Sequence, residues 1–357
     1  FFFFFFFFFF FFFFFFLHNL KLSYASIKIC IFTERHQIPR LSNNWVTDNS
    51  KEHSMRKTFL LITIGLLLFN PAFGQSAQYK QLDSLVNSLF KLKMFNGNVL
   101  IADKGKIIFE KSYGLANEKT EQKINNQTIF ELASVSKQFT AMGIVLLERQ
   151  GKLNYDDKIS KYIPELAFYG NISIRNLLNH TAGLPDYIEF FEEKWDKTKI
   201  ATNQDIVNVF AKYRPKVIFQ PGEKYQYSDT GYTLLALIIE KVSNKTFGQF
   251  LSENIFQPLK MRNTFIYRSR FEPKKIENYA LGYVTDSLGN KVLPNSFGKE
   301  FYTYYLDGIV GDGTVNSTTE DLLKWDRALY DDKMIDSKDK ELIFGSVKTN
   351  DGKETNY

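Results

Sequence analysis

The sequence predicts an α+β fold, because both antiparallel strands and helices can be recognised in it. Apolar residues at the spacing i, i+3, i+4, i+7 and i+8 mark an amphipathic opening helix: Leu82, Leu85, Val86, Leu89 and Phe90. Two β-like runs at 98–102 and 106–110 follow, joined by the turn residues at 103–105, which indicates a hairpin. Further helical stripes follow the hairpin, so the chain combines helices with antiparallel strands.

The first 74 residues differ from the rest of the chain. Sixteen phenylalanines, Phe1 to Phe16, open the sequence, and the first methionine is Met55. Met55 is followed by two basic residues, an apolar stretch at 59–69 and small residues before Gln75, which is typical of a secretory signal peptide. We expect residues 1–54 to be unstructured translated upstream sequence, 55–74 to be the signal peptide, and 75–357 to be the secreted or periplasmic domain. A low-complexity leader with an internal membrane anchor is the alternative, and it fits these features less well.

Removal of the predicted leader changes the charge and the available chemistry. Lys plus Arg falls from 45 to 38 and Asp plus Glu from 39 to 36, so the net charge falls from +6 to +2. That charge does not indicate a nucleic-acid partner. Cys30 and three of the four histidines lie in the leader, and His180 is the histidine that remains. Thiol nucleophiles, disulfides and His/Cys zinc sites are thereby excluded, and no metal or cofactor is expected.

A serine followed three positions later by lysine can form a nucleophile and its proton partner, since both then lie on one helix face. The pattern occurs five times, beginning at Ser54, Ser88, Ser134, Ser296 and Ser337. Ser54 precedes the signal peptide, and Ser88 lies on the polar side of the opening helix. A glycine interrupts the segment after Ser296, and Ser337 opens what we predict to be a charged loop.

Ser134 stands at the head of a helical stripe formed by Val135, Phe139, Met142 and Leu146. A helix N-terminus favours a developing negative charge, which suits an oxyanion. Ser134 with Lys137 is therefore the candidate nucleophilic pair.

Six segments in order resemble the serine β-lactamase and penicillin-binding protein superfamily, in its class C-like β-lactamase, D-peptidase and esterase branch. They are FELASVSK at 130–137, LLNHTAGLP at 177–185, YSDTGY at 227–232, PLKM at 258–261, NYALGY at 278–283 and GDGTVNSTTEDL at 311–322. The resemblance implies an antiparallel sheet flanked by helices and a mostly helical subdomain, with the active site between them. It also implies that Ser134 is the acylated nucleophile, Lys137 its proton partner and Tyr227 the proton relay, with the Ser134 backbone N–H in the oxyanion hole.

Two departures from the family pattern affect these expectations. Asp229 stands where the family usually carries asparagine, a position that implies substrate binding. Its charge should hold Lys137 protonated and repel anionic substrates. The family's third motif, Lys-Thr-Gly or His-x-Gly on a late strand, has no match. We therefore expect a C-terminally truncated chain that lacks the last sheet strands, leaves an unpaired sheet edge, and is inactive and poorly stable.

Three other features have a structural and a functional interpretation. His180 suits a hydrogen-bonded turn better than a general base. Asp156 and Asp157 suit a helix cap and solvated turn better than a catalytic carboxylate pair. The aromatic cluster at 301–305 fits a substrate cleft and a packed core equally well.

The resulting functional prediction is a serine hydrolase that acts on an amide or ester through an acyl-enzyme on Ser134. The substrate would be a small molecule or peptide, such as a β-lactam, a D-amino-acid peptide (cell-wall peptide included) or an ester. A non-catalytic, penicillin-binding-protein-like binding or sensor relative is the alternative, since Asp229 and the absent third motif both depart from the family.

Overall fold

The structure is a computed structural model that describes residues 28–31, 75–332 and 334–355. Ten strands lie in this order: β1 Lys28–Ile31, β2 Gly97–Asp103, β3 Lys106–Tyr113, β4 Leu115–Asn117, β5 Gln122–Lys123, β6 Phe130–Glu131, β7 Phe265–Ile266, β8 Val284–Thr285, β9 Lys291–Val292 and β10 Val315–Ser317. Ten α-helices lie in this order: α1 Gln75–Lys91, α2 Lys137–Arg149, α3 Ile174–Leu178, α4 Tyr187–Lys194, α5 Asn203–Tyr213, α6 Asp229–Ser243, α7 Phe247–Leu251, α8 Tyr302–Tyr305, α9 Thr319–Ala328 and α10 Ser337–Phe344. These counts refer to the described residues, and they confirm the predicted α+β class.

The chain forms two compact units, each built from two separate stretches of sequence. Unit 1 comprises Phe1–Asn125 and Leu281–Leu293, and unit 2 comprises Asn126–Ala280 and Pro294–Tyr357. Within the part of the chain that the structure describes, no helix has both the length and the apolar character needed to cross a membrane.

In unit 1 the predicted opening helix packs on the predicted hairpin. Strands β2 and β3 pair antiparallel, with Val99 opposite Lys111 and Ile101 opposite Phe109. The apolar side of α1 contributes Val86 to a core with Phe95, Val99, Ile101 and Tyr113. The stripe and the hairpin are thus confirmed, because α1 buries its apolar face against the apolar strands.

Strand β1 lies within the stretch 1–54, which we expected to be unstructured. It pairs antiparallel with β2, with Lys28 opposite Ala102 and Ile31 opposite Val99. The expectation of no structure in 1–54 is therefore wrong for Lys28–Ile31. The physical reason is that the N–H and C=O groups of a buried strand need partners, which β1 supplies. The rest of 1–54 and the predicted signal peptide at 55–74 lie outside the described residues.

In unit 2 the helix α6 is central. Every residue from Thr230 to Ile239 is buried, as expected for a helix that is apolar on nearly all sides. Helix α2 passes close to it at Gly143, where a Cβ atom would lie 2.7 Å from Ile239 Cδ1. A glycine at this position permits the close approach of the two helices, and α2 is the helix that follows the candidate nucleophile.

A small sheet of order β6-β10-β7 brings two distant segments together. Glu131 of β6 lies opposite Asn316 of β10, and Leu132 N donates to Val315 O at 2.9 Å. The stretch after β6 and the stretch before β10 therefore run side by side. These are the segments that carry Ser134 and Asp312.

The expectation of a charged loop at Ser337 is wrong, because Ser337 begins helix α10. The Asp336 carboxylate accepts from Asp339 N at 3.0 Å, and the Asp339 carboxylate accepts from Asp336 N at 3.1 Å. This reciprocal capping supplies partners for N–H groups at the helix start and stabilises a helix in spite of its charges.

Candidate active site

The first predicted site residue, Ser134, lies in a tight helical turn between β6 and α2. The turn spans Ala133–Ser136 and continues directly into the α-helix that begins at Lys137. Ala133 enters the turn with φ of 47°, a left-handed conformation that is strained for a residue with a side chain. Ser134 and Lys137 lie one turn apart, and Lys137 Nζ is 3.2 Å from Ser134 Oγ.

Lys137 is buried and has three hydrogen-bond acceptors. Besides Ser134 Oγ, its Nζ donates to Asp229 Oδ1 at 2.6 Å and to the Asp312 carbonyl oxygen at 2.8 Å. Three acceptors match the three protons of an ammonium group. Burial alone would lower the pKa of Lys137, but the negative charges of Asp229 and Asp312 outweigh it and hold that pKa above its ordinary value. Lys137 is therefore a charged ammonium in the resting site.

Tyr227, the predicted relay, lies against both members of the pair. The centre of its ring is 5.0 Å from Lys137 Nζ. Burial raises the pKa of the Tyr227 phenol, while the nearby Lys137 charge acts in the opposite direction. The pKa of the Tyr227 phenol is raised above its ordinary value, so the phenol is neutral in the resting site. Ser134, Lys137 and Tyr227 are thus brought together as predicted.

Asp229 begins helix α6, where Ser228 is the N-cap residue and its Oγ accepts from Gly231 N at 3.4 Å. From this position the carboxylate reaches Lys137 and forms an ion pair with it. The predicted effect of this aspartate, a lysine held in the charged state, follows from the observed geometry. The role of Asp229 in substrate binding stays a prediction.

Asp312 and Tyr187 belong to the site but were not among the residues singled out from the sequence. Asp312 supplies a carbonyl oxygen to Lys137, and its carboxylate accepts from the Tyr187 hydroxyl at 2.8 Å. Both residues lie inside segments that carried the family resemblance or adjoined them. Only their pairing across 125 positions was not visible in the sequence.

Two hydroxyl groups, one in α2 and one just before it, form hydrogen bonds with the backbone around Asp312. Thr140 Oγ1 donates to the Gly311 carbonyl at 2.6 Å, and Ser136 Oγ accepts from Val315 N at 3.0 Å. Between these two hydrogen bonds, Thr314 has a backbone φ of 76°, which is an unusual value for a β-branched residue. Strain of this kind persists only where surrounding contacts impose it, and it is common at active sites.

Asp186 adds a third carboxyl group, close to those of Asp229 and Asp312. It caps helix α4 through a hydrogen bond from Ile188 N to its Oδ1 at 2.8 Å. Burial, with the nearby negative charge of Asp229, raises the pKa of Asp186 to about 6. The site therefore holds one ammonium group and three carboxyl groups, from Asp186, Asp229 and Asp312.

Three features had both a structural and a functional interpretation, and the structure favours the structural one for each. His180 is buried, and its Nδ1 accepts from Ser228 N at 3.0 Å, which confirms a hydrogen-bonded turn. Asp156 pairs with Arg175, whereas Asp157 pairs with Lys161 at 2.8 Å, so the two carboxylates do not act as a pair. In the cluster at 301–305, Tyr305 is buried and Phe301 stacks on Phe297, which indicates packing.

Among the described residues, no group of three or more His, Cys, Asp or Glu side chains is arranged to hold a metal ion. The Asp229 carboxylate pairs with Lys137 instead, while those of Asp312 and Asp186 accept from Tyr187 and from Ile188 N. What the arrangement offers is a hydroxyl nucleophile with an ammonium and a phenol within reach.

The chain is similar to known proteins in sequence and in fold. The sequence profile of the Beta-lactamase family matches residues 83–354. Penicillin-binding protein 4* of Bacillus subtilis (strain 168) is 44% identical over 279 residues, 78% of this chain and 62% of that protein. The chain thus spans about three fifths of the length of this curated relative.

Two solved structures share the fold. A penicillin-binding protein from Bacillus halodurans has a TM-score of 0.62 and 28% identity, over 71% of this chain and 75% of that one. D-amino acid amidase from Ochrobactrum anthropi SV3, complexed with L-phenylalanine amide, has a TM-score of 0.53 and 30% identity, over 65% of each chain. Since the family profile covers most of the sequence and the fold agrees, the chain belongs to the Beta-lactamase family, within the serine β-lactamase and penicillin-binding protein superfamily.

Proposed function

We propose that this chain is a serine hydrolase that cleaves an amide or ester through an acyl-enzyme on Ser134. The family to which it belongs is one of serine hydrolases. The observation that carries the proposal is the grouping of three side chains: Lys137 Nζ lies 3.2 Å from Ser134 Oγ, and the centre of the Tyr227 ring lies 5.0 Å from Lys137 Nζ. A nucleophile with proton partners in direct contact is what acyl transfer requires.

In the proposed reaction Ser134 Oγ attacks the substrate carbonyl carbon and gives up its proton to the Tyr227 and Lys137 pair. The tetrahedral intermediate then collapses, and the same pair returns the proton to the departing amine or alcohol. Water then attacks the carbonyl carbon of the Ser134 ester in the same way. The bond to Ser134 Oγ breaks, the acid is released and the Ser134 hydroxyl is restored. Because the resting phenol is neutral and the lysine is charged, one proton must leave this pair before acylation. The acylation rate should therefore rise with pH.

The proposed substrates are β-lactams, D-amino-acid peptides and simple esters. The names of similar proteins, penicillin-binding protein and D-amino acid amidase, support the first two classes. The carboxyl groups around Lys137 favour neutral or cationic substrates over anionic ones, since a like charge is repelled in a partly desolvated site. Among candidates with the same acyl group, we expect the uncharged ester or amide to react faster than its carboxylated counterpart.

The test is covalent labelling of the full chain with a fluorophosphonate and with a fluorescent penicillin, followed by mass spectrometry of the labelled peptide. The proposal expects an adduct on Ser134, at a rate that rises with pH, and none in Ser134→Ala. Ser296→Ala is the matched control, since this serine also precedes a lysine by three positions but lies outside the site. A folded wild-type protein without an adduct would contradict the hydrolase proposal. Reversible penicillin binding in that case would support the non-catalytic binding relative.

We also propose that the protein is secreted or periplasmic, from the signal-peptide pattern at 55–74. Expression of the chain from Met55 in a bacterial host should give a product that begins near Gln75 outside the cytoplasm. Retention of residues 55–74 on a cytoplasmic product would overturn this proposal.

A further inference from the structure

His180 makes three contacts with the short segment that carries Tyr227. Its backbone carbonyl accepts from Gln226 N at 2.9 Å, and its Nδ1 accepts from Ser228 N at 3.0 Å. Between these two hydrogen bonds the imidazole stacks on the Tyr227 ring, with centroids 4.5 Å apart and an angle of 28°. The residues on both sides of Tyr227, and the ring itself, are therefore held by one side chain and its backbone.

We propose that His180 is a positioning residue that fixes the place and tilt of the Tyr227 phenol relative to Ser134 and Lys137. This inference rests on the proposed acyl transfer at Ser134. A proton relay works only within hydrogen-bond distance, so a shift of about 1 Å in the phenol oxygen would slow the reaction strongly. His180 acts through Tyr227 and does not itself exchange a proton with the substrate.

The uncharged imidazole suits this role. Burial, together with the Lys137 charge, lowers the pKa of His180 to about 3. Since Nδ1 accepts a hydrogen bond, it carries no proton of its own. The ring thus stays neutral in the pH range where the enzyme would work, and it adds no second positive charge beside Lys137.

The position of His180 is itself well defined. Its side chain also contacts the Tyr232 ring, with centroids 4.9 Å apart, and the Tyr232 hydroxyl donates to the Leu178 carbonyl at 3.0 Å. The backbone of His180 has φ of 55°, a left-handed conformation that most residues avoid. A strained, buried residue that holds a relay is consistent with selection for geometry rather than for stability.

Two substitutions separate the contacts. His180→Asn keeps an acceptor for Ser228 N and suits the left-handed backbone, but it removes the stacked ring. His180→Phe keeps a ring and removes the acceptor. Tyr169→Phe is the control, because it removes another buried hydrogen bond, from its hydroxyl to the Pro215 carbonyl at 2.8 Å, in the same unit but outside the site.

The first readout is the acylation rate constant at saturating probe, together with the half-saturating concentration. For His180→Asn we expect a rate at least tenfold lower with a half-saturating concentration within twofold of wild type, and for Tyr169→Phe no change in either. His180→Phe should lose at least as much rate as His180→Asn. A folded His180→Asn protein that acylates at the wild-type rate would overturn the proposal.

The second readout does not depend on acylation. The proposal expects the ε-carbon resonances of Tyr227, assigned with ¹³C-labelled tyrosine and Tyr227→Phe, to be separate in the wild-type protein because the stacked ring turns slowly. They should shift or merge in His180→Asn and stay unchanged in Tyr169→Phe. A single averaged wild-type resonance, or no change in His180→Asn, would overturn the positioning role. If the wild-type protein forms no adduct but passes this NMR test, the proposed hydrolysis fails and the positioning geometry stands.

Discussion

Lys137 Nζ lies 2.6 Å from Asp229 Oδ1, and the two side chains are only 5% and 13% exposed. The residues are 92 positions apart in the sequence, at the starts of the two helices α2 and α6 that pack together at Gly143. A shielded ion pair of this kind is strong only while both partners are present. It ties the protonation state of the lysine to the aspartate, and that coupling leads to the first two predictions.

Replacing Asp229 with asparagine should make acylation effective at lower pH. The Asp229 charge raises the pKa of both Lys137 and Tyr227, so its removal lowers both. We expect the rising limb of the pH–rate profile to move down by about one unit, since one pKa unit corresponds to about 1.4 kcal/mol of interaction. The rate for an anionic ester should also increase relative to its neutral counterpart. The measurement is the acylation rate from pH 5 to 10 with both esters.

Asp156→Asn provides the control for that experiment, because this aspartate is 70% exposed and pairs with Arg175. It should leave the profile unchanged. An Asp229→Asn profile that coincides with wild type would mean that the ion pair does not govern proton transfer.

Lys137→Met should destabilise the fold as well as abolish acylation, because it leaves the Asp229 carboxylate in a shielded place without its cation. We expect a loss of about 3–5 kcal/mol in the free energy of unfolding, measured by urea denaturation. The double variant Lys137→Met with Asp229→Asn should recover most of that loss, since no uncompensated charge remains. Equal stability of the single and double variants would contradict this account.

Asp186→Asn should stabilise the protein at neutral pH. The folded state raises the pKa of Asp186 from its reference value of 3.8 to about 6, so the ionised carboxyl is disfavoured on folding. The resulting loss in the free energy of unfolding is complete above pH 6. It disappears as the pH falls from 6 to below 3.8, because the protonated carboxyl group carries no such cost. We expect a gain of about 1–2 kcal/mol at pH 7 and none near pH 3.5, with some of the shift offset by lost helix-dipole interaction.

Asparagine retains the cap on α4, since its side-chain oxygen can accept from Ile188 N as Asp186 does. Denaturant unfolding of both proteins at several pH values measures the difference. A gain that does not depend on pH would show that charge is not its cause.

Tyr187→Phe should cost more stability at high pH than at low pH. The Tyr187 hydroxyl donates to the Asp312 carboxylate, and this hydrogen bond favours the ionised form of Asp312. Burial acts in the opposite direction and raises the pKa of Asp312 above its ordinary value. Removing the donor leaves a carboxylate without that partner, which costs about 1–3 kcal/mol while it is ionised. Protonation of Asp312 relieves the loss as the pH falls.

Tyr169→Phe serves as the comparison, because its hydroxyl donates to a neutral carbonyl, that of Pro215. Its cost should be about 0.5–1.5 kcal/mol and should not vary with pH. Parallel pH dependences for the two variants would exclude a specific role of the Tyr187 and Asp312 pair.

Local patterns predicted the elements whose residues interact with near neighbours. The stripe on α1 and the hairpin of β2 and β3 both follow from spacing and turn residues over fewer than twenty positions. The helix at Ser337 was missed because its charged sequence has a weak apolar stripe, while its stability at the start comes from capping by Asp336.

By itself, the sequence determined the candidate nucleophile and its partner, because three positions of helix place Ser134 and Lys137 on one face whatever surrounds them. It also determined, through the ordered motifs, that Tyr227 and Asp229 belong to the same site. Only the tertiary structure decided the charges in that site. The distances from Lys137 to Asp229 and to the Asp312 carbonyl, and the bond from Tyr187 to Asp312, join residues 92 to 175 positions apart. Burial and electrostatic interaction depend on those distances in space, and spacing along the chain does not contain them.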